Sequence, residues 1–190
     1  MKLNSILKGE GKKMKLFGMV VSAVVLLVVI TVWQLGFFTK LTFITEKLGP
    51  YKIVYVDHKG PYHKIGDKFT LVKSFLDTNK ITYSESLGEY YDDPGKTKVE
   101  ELKSIAGYVV DMKTKLPKLA EPYKTKIIAK NSYVTTVFKG SPAVGPIIVY
   151  PKAMKFIDES GNKISGPALE LYTMEKNKII TKYLFQVSKK

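Results

Sequence analysis

The chain contains no cysteine and no arginine, and only one tryptophan and two histidines among its 190 residues. Without cysteine there are no disulfides, thiolate metal sites or cysteine nucleophiles. His58 and His63 are too few for a histidine-rich metal site. All 31 basic residues are lysine, against 17 acidic ones, for a formal net charge of +14. Lysine is a solvated point charge and lacks the planar fork with which arginine grips phosphate and reads guanine. The charge therefore argues for a solvated surface, or for attraction to an anionic membrane, ahead of sequence-specific nucleic-acid reading.

One long uncharged run is present. "LFGMVVSAVVLLVVITVWQLGFF", Leu16 to Phe38, would cover roughly 34 Å as a helix, enough for a bilayer core of about 30 Å. It has no polar stripe, unlike a soluble helix. Trp33, Phe37 and Phe38 crowd its end, as an interfacial aromatic belt does. The run is long and no small-residue cleavage pattern follows it, so an uncleaved anchor is expected rather than a signal peptide. Lys2, Lys8, Lys12, Lys13 and Lys15 precede it against one acid, Glu10. This bias places the N-terminus in the cytoplasm and the rest of the chain on the far side. The expected layout is a basic cytoplasmic segment over 1–15, a transmembrane helix over 16–38, a lead-in over 39–50 and one domain over 51–190.

Within that domain the pattern repeats. "YKIVYVDHKG" alternates as a strand. Ile65, Phe69, Val72, Phe75 and Leu76 have helical spacing, with Asn79 as a stop. "ITYSESLGEYYDDPG" and "IAGYVVDM" read as strands. The second half gives "NSYVTTVFKG" as a strand, a helix from Gly145 to Asp158 with Pro151 inside it, then "GPALELYTME" and "KIITKYLFQVS" as strands with Asn177 and Lys178 between them. Lys59-Gly60 answers Lys139-Gly140. Phe75 and Asp77 answer Phe156 and Asp158. Glu89-x-Tyr91 answers Glu170-x-Tyr172. The expected fold is α+β: two βαββ units, about 51–112 and 127–188, forming an antiparallel sheet with helices on one face, preceded by the transmembrane helix. A cleft at the junction is a natural small-molecule site.

"VYVDHKGPYHKIGDKF", "GEYYDDP", "VTTVFKG" and "GPALELY", in this order, resemble the GyrI-like small-molecule-binding domain, found also as the effector-binding half of AraC-type and multidrug-responsive regulators and related to SOUL domains. The resemblance covers about residues 50–188. It implies that Glu170, in the late Glu-x-Tyr, lies at the base of an aromatic cleft that takes amphipathic, cationic or polycyclic ligands. Some members use that glutamate with a tyrosine to hydrolyse reactive cyclopropane compounds, so Glu170 is also the catalytic candidate of an enzymatic alternative. The regulators' DNA-reading module is replaced here by a membrane helix, so no nucleic-acid partner is implied. A span followed directly by this domain is also similar in layout to an animal reticulophagy receptor. The long tail carrying that receptor's autophagy motif has no counterpart, so the role is not carried over.

The residues point the same way. A carboxylate in an apolar cleft resists ionisation and favours a cationic partner, and aromatic walls add cation–π attraction. Tyr172 and Tyr91 are expected as walls, Tyr62 as rim and Glu89 as a secondary carboxylate, with pairing to lysine on an exposed face as the alternative for the glutamates. Asp92 and Asp93 read as turn chemistry rather than metal ligands, because adjacent strand residues point to opposite faces. His58 and His63 read as structural rather than haem ligands. No cofactor is expected. A protein partner recruited to the membrane remains a third alternative.

Overall fold

The computed structural model describes residues 2–176 and 178–190, with side chains from residue 15 on. Asn177, assigned above to the last turn, and Met1 lie outside the described residues. Helix α1 (Lys2–Gln34) leads into β1 (Ile44–Leu48), β2 (Tyr51–Lys59), α2 (Gly66–Thr78), β3 (Tyr83–Tyr90), β4 (Lys103–Val110), β5 (Lys124–Ile128), β6 (Asn131–Lys139), α3 (Gly145–Glu159), β7 (Asn162–Glu175) and β8 (Lys178–Lys189). Among the described residues the strands form one eight-stranded sheet, in the order β1-β6-β8-β7-β3-β4-β2-β5. Every pairing in it is antiparallel.

The order is symmetric about the β3–β7 pair. β3-β4-β2 on one side mirrors β7-β8-β6 on the other, which is the duplication read from the sequence. The lead-in expected over 39–50 contains β1, and each half has an additional short strand. β1 leaves its own half and pairs with β6, while β5 pairs with β2.

This exchange fixes the shape of the sheet. β1 and β2 lie near opposite edges of the sheet order, yet only Gly49 and Pro50 separate them. β5 and β6 are likewise joined by Ala129 and Lys130 alone. With two residues between them the strand ends stand at most about 10 Å apart, so the sheet must curl until its edges nearly meet. The two connections touch: a Cβ on Gly49, whose φ is +93°, would stand 3.2 Å from the Ala129 carbonyl oxygen.

Curling gives the sheet an inner and an outer face, and strand alternation decides which residue goes where. Ile53, Leu87, Ile105, Tyr133, Leu169, Leu171 and Leu184 fill the inner face. On the outer face α2 packs Val72 and Leu76 against Val54, Val56 and Val110. There α3 packs Val149, Ala153 and Ile157 against Val134, Phe138, Tyr183 and Phe185. Both helices lie on one face, as expected.

Among the described residues one helix is long and apolar enough to cross a membrane: Lys15–Gln34 has a mean hydropathy of 2.7, with none of it buried. The span expected to reach Phe38 ends as helix at Gln34. Gly36 then adopts φ +92° and is packed so closely on Phe138 that a Cβ would stand 2.7 Å from the ring. Only glycine fits that turn without strain.

Candidate functional site

α2 sits over β2 and β4, while α3 sits over β6, β7 and β8. The outer face of β3 and the adjoining half of β7 is left open between them. A cleft of about 1290 Å³ fills this gap. Its floor is made by outward-facing residues of the central pair, namely Tyr90, Glu170 and Tyr172. Phe69 of α2 and Tyr150, Ile147 and Met154 of α3 form its sides.

The register explains the floor. Gly88 lies directly opposite Glu170, Tyr90 opposite Ala168 and Ser86 opposite Tyr172. A twofold axis through the Gly88–Glu170 pair carries Tyr90 onto Tyr172. Their hydroxyls meet at 2.8 Å. Gly88 is required here, since a Cβ would stand 2.8 Å from the Tyr90 ring and hydroxyl.

Glu170 is 3% exposed. Tyr150 donates to its Oε1 at 3.0 Å and Tyr172 donates to its Oε2 at 2.8 Å. Each hydroxyl has one proton, so with that of Tyr172 committed to Glu170, Tyr90 donates to Tyr172. No lysine pairs with Glu170 among the described residues. Burial pushes the carboxyl up from the usual range to about 7, and the two tyrosine hydrogen bonds hold it from going further. Burial raises the Tyr150 and Tyr172 hydroxyls well above their ordinary value. Burial and the nearby carboxylate likewise raise Tyr90. All three therefore remain neutral donors around one titratable carboxyl. The rings are held edge-on, Phe69 to Tyr172 at 5.6 Å and Tyr62 to Tyr90 at 4.9 Å.

Of the residues expected from the sequence, Glu170, Tyr172 and Tyr62 lie in this cleft. Tyr62 accepts from the Asp92 amide at 3.0 Å, with the Asp92 and Lys103 carbonyls in reach of its hydroxyl proton. Tyr91 reaches the edge of the cleft, while Glu89 does not join them. Glu89 pairs with Leu169, so it faces inward, away from Glu170. It forms an ion pair with Lys126 at 2.6 Å, without hydrogen-bond geometry at Oε2. Tyr91 touches the cleft edge, but its hydroxyl accepts from Lys126 at 3.0 Å. The matching of Glu89-x-Tyr91 with Glu170-x-Tyr172 is thus displaced by one residue, and Tyr90, not Tyr91, is the partner of Tyr172. The second half carries two more residues between corresponding positions, Lys59 to Tyr90 against Lys139 to Tyr172. α3 has 15 residues against 13 in α2.

Tyr150, Phe69 and Tyr90 were missed in the sequence. The available signal was an aromatic within each helix and a second tyrosine beside Tyr91. Asp93 behaves as a turn residue, accepting from the Gly95 amide at 2.9 Å, whereas Asp92 accepts from the Lys103 amide at the start of β4, at 2.6 Å. His58 Nε2 lies 3.1 Å from the Pro61 carbonyl, to which it donates. No cluster of potential metal ligands occurs among the described residues.

Residues 42–188 match the family model of the GyrI-like small molecule binding domain. Among solved structures, the EcmrR C-terminal domain superposes with a TM-score of 0.66 at 13% identity, covering 79% of this chain and 99% of that one. EcmrR in a complex with DNA gives the same TM-score at 12% identity and covers 95% of this chain and 71% of that one. SAV2435 bound to tetraphenylphosphonium gives 0.54 at 14% identity, covering 77% and 94%. A hydrolase from Listeria innocua gives 0.54 at 12%, covering 80% and 95%. At these identities the likenesses show the fold. Comparison with curated proteins gives no match.

Proposed function

The chain belongs to the GyrI-like small-molecule-binding family, and from that premise we propose that it is a membrane-anchored module whose cleft binds a lipophilic cation, with Glu170 as the counter-charge. The observation carrying this reading is a buried carboxylate with aromatic walls, three neutral hydroxyls around it and no lysine paired to it among the described residues. A cation entering the cleft would supply the missing charge and ionise Glu170. The rings would add roughly 0.5–2 kcal/mol each through their faces. The neighbour solved with tetraphenylphosphonium supplies a probe of suitable size. The exposed apolar helix Lys15–Gln34 supports the anchor.

The test is thermal unfolding of the full chain in detergent with tetraphenylphosphonium, beside Glu170→Gln. At a hundredfold excess over the dissociation constant the ligand stabilises by about 2.7 kcal/mol. The shift is expected in the wild type and lost in the variant. Equal shifts in both sink the counter-charge role. No shift for this or related cations moves the reading to a protein-recruiting scaffold.

A second reading rests on the carboxyl titrating near 7. That value suits a general base that activates water toward a strained electrophile. Hydrolysis product formed by the wild type and absent with Glu170→Gln would separate turnover from binding.

A further inference from the structure

The anchor and the cleft meet at one end of the sheet. The Ser141 amide donates to the Leu35 carbonyl at 3.2 Å, just after α1 ends. Thr39 donates to the Lys139 carbonyl at 3.4 Å. A Cβ on Gly140 would stand 2.6 Å from the Leu35 carbonyl oxygen. The chain leaving the span is thus held on the β6–α3 connection. Pro142 and Ile147, immediately beyond, line the cleft. Lys139 pairs across β8 with Ile180, so the tip of the β7–β8 hairpin lies at the same end.

That end is unusually apolar for an exposed surface. At the hairpin tip Met174 and Ile179 are directly opposed, and they are 70% and 40% exposed while lining the cleft. Ile147, across the mouth on α3, is 70% exposed. Trp33, Phe37 and Phe38 are exposed at the foot of the span. Exposed lysines flank these residues in the chain: Lys40 after Phe38, Lys139 before the β6–α3 connection, and Lys176 and Lys178 at the hairpin tip beside Glu175. Apolar tips flanked by lysine suit insertion among anionic headgroups. A site meant to fill from water gains nothing from such a rim.

Resting on the anchored reading above, we infer that the mouth of the cleft is seated on the lipid surface beside the span, with Ile147, Met174 and Ile179 reaching below the headgroups, so that amphipathic ligand passes into the cleft from the leaflet. The occupant of this surface is a bilayer containing anionic phospholipid. The ligand class it selects has an apolar body that partitions into lipid and a cationic head that meets Glu170.

The absence of cysteine makes the test direct. Ile147→Cys, Met174→Cys and, at the opposite end of the sheet in the connection from β3 to β4, the exposed Val99→Cys are each labelled with an environment-sensitive fluorophore in the full chain. The chains are reconstituted in vesicles of phosphatidylcholine and phosphatidylglycerol, with and without lipids carrying a quencher near the headgroup. The sole tryptophan, Trp33, reports the span in the same samples. The expected result is quenching of Trp33 and of the labels at 147 and 174, with the label at 99 unaffected. A Lys substitution at Ile179 combined with Ile147→Lys should weaken quenching of the label at 174, because charge is expelled from the acyl region. Quenched Trp33 with unquenched labels at 147 and 174 overturns the seated mouth and leaves the anchor standing. Unquenched Trp33 overturns both.

Discussion

At the scale of single residues the site is governed by Glu170, and its titration has a definite sign. Its carboxyl is raised from 4.5 to about 7 in the fold. The folded state therefore holds this proton more tightly than the unfolded chain. The group costs nothing well below pH 4.5. Its cost grows as pH rises from about 4.5 to about 7 and is constant above, reaching about 3 kcal/mol. Carboxylates such as Glu46, lowered by hydrogen bonds from Thr135 and Lys182, act oppositely and lose stability as pH falls. The difference between wild type and Glu170→Gln isolates the one group. Urea unfolding from pH 4 to 9 should show the variant gaining on the wild type through that window. A constant difference would mean that Glu170 does not titrate there. Saturating tetraphenylphosphonium should shrink the gap, since a bound cation ionises the carboxyl. Glu170 was legible in the sequence through its place in "GPALELY". Tyr172 was legible with it, but Tyr90 was not, because a one-residue displacement turns a strand residue to the opposite face, and Tyr150 was not, because it reaches the carboxyl from a helix remote in the sequence pattern.

At the scale of elements, strand alternation and helical spacing located β2, α2, β3, β4, β6, α3, β7 and β8. β1 and β5 escaped because "ITEKL" and "KTKII" are short, half-exposed and mixed in character. Their partners are also remote, Ile44 opposite Thr135 in the first case, and a local pattern holds no record of such pairing. The exchange makes β1 part of the domain rather than a tether. Thr135 donates to Glu46 at 2.8 Å, and Lys182 lies 3.0 Å from the same carboxylate. Removing β1 bares the edge of β6 and leaves Thr135 without that acceptor. A fragment beginning at Leu41 should remain monodisperse and melt cooperatively. One beginning at Tyr51 should melt at lower temperature and self-associate through the open edge. Scanning calorimetry and gel filtration of the two fragments measure this. Equal melting and equal dispersity would show that β1 is dispensable.

At the scale of the whole molecule, the duplication was visible because its halves share turn and helix residues. The curl of the sheet was not, because it follows from a strand exchange that only three-dimensional pairing reveals. Orientation across a membrane is a matter of charge near the span. The domain's many lysines weigh little in it, since long translocated segments pass largely regardless of their charge and only residues close to the span count. Before the span stand five lysines and one glutamate, while after it Lys40 and Lys47 flank Glu46. That asymmetry predicts a cytoplasmic N-terminus and a domain on the far side. The cysteine-free chain permits a clean check in intact cells with a membrane-impermeant maleimide. Met112→Cys, on an exposed loop position, should react at once. Ser5→Cys should react only after the membrane is permeabilised. The reverse pattern would invert the topology. Protection of both until lysis would mean that the domain does not cross, and Glu170 would then meet ligands on the cytoplasmic side.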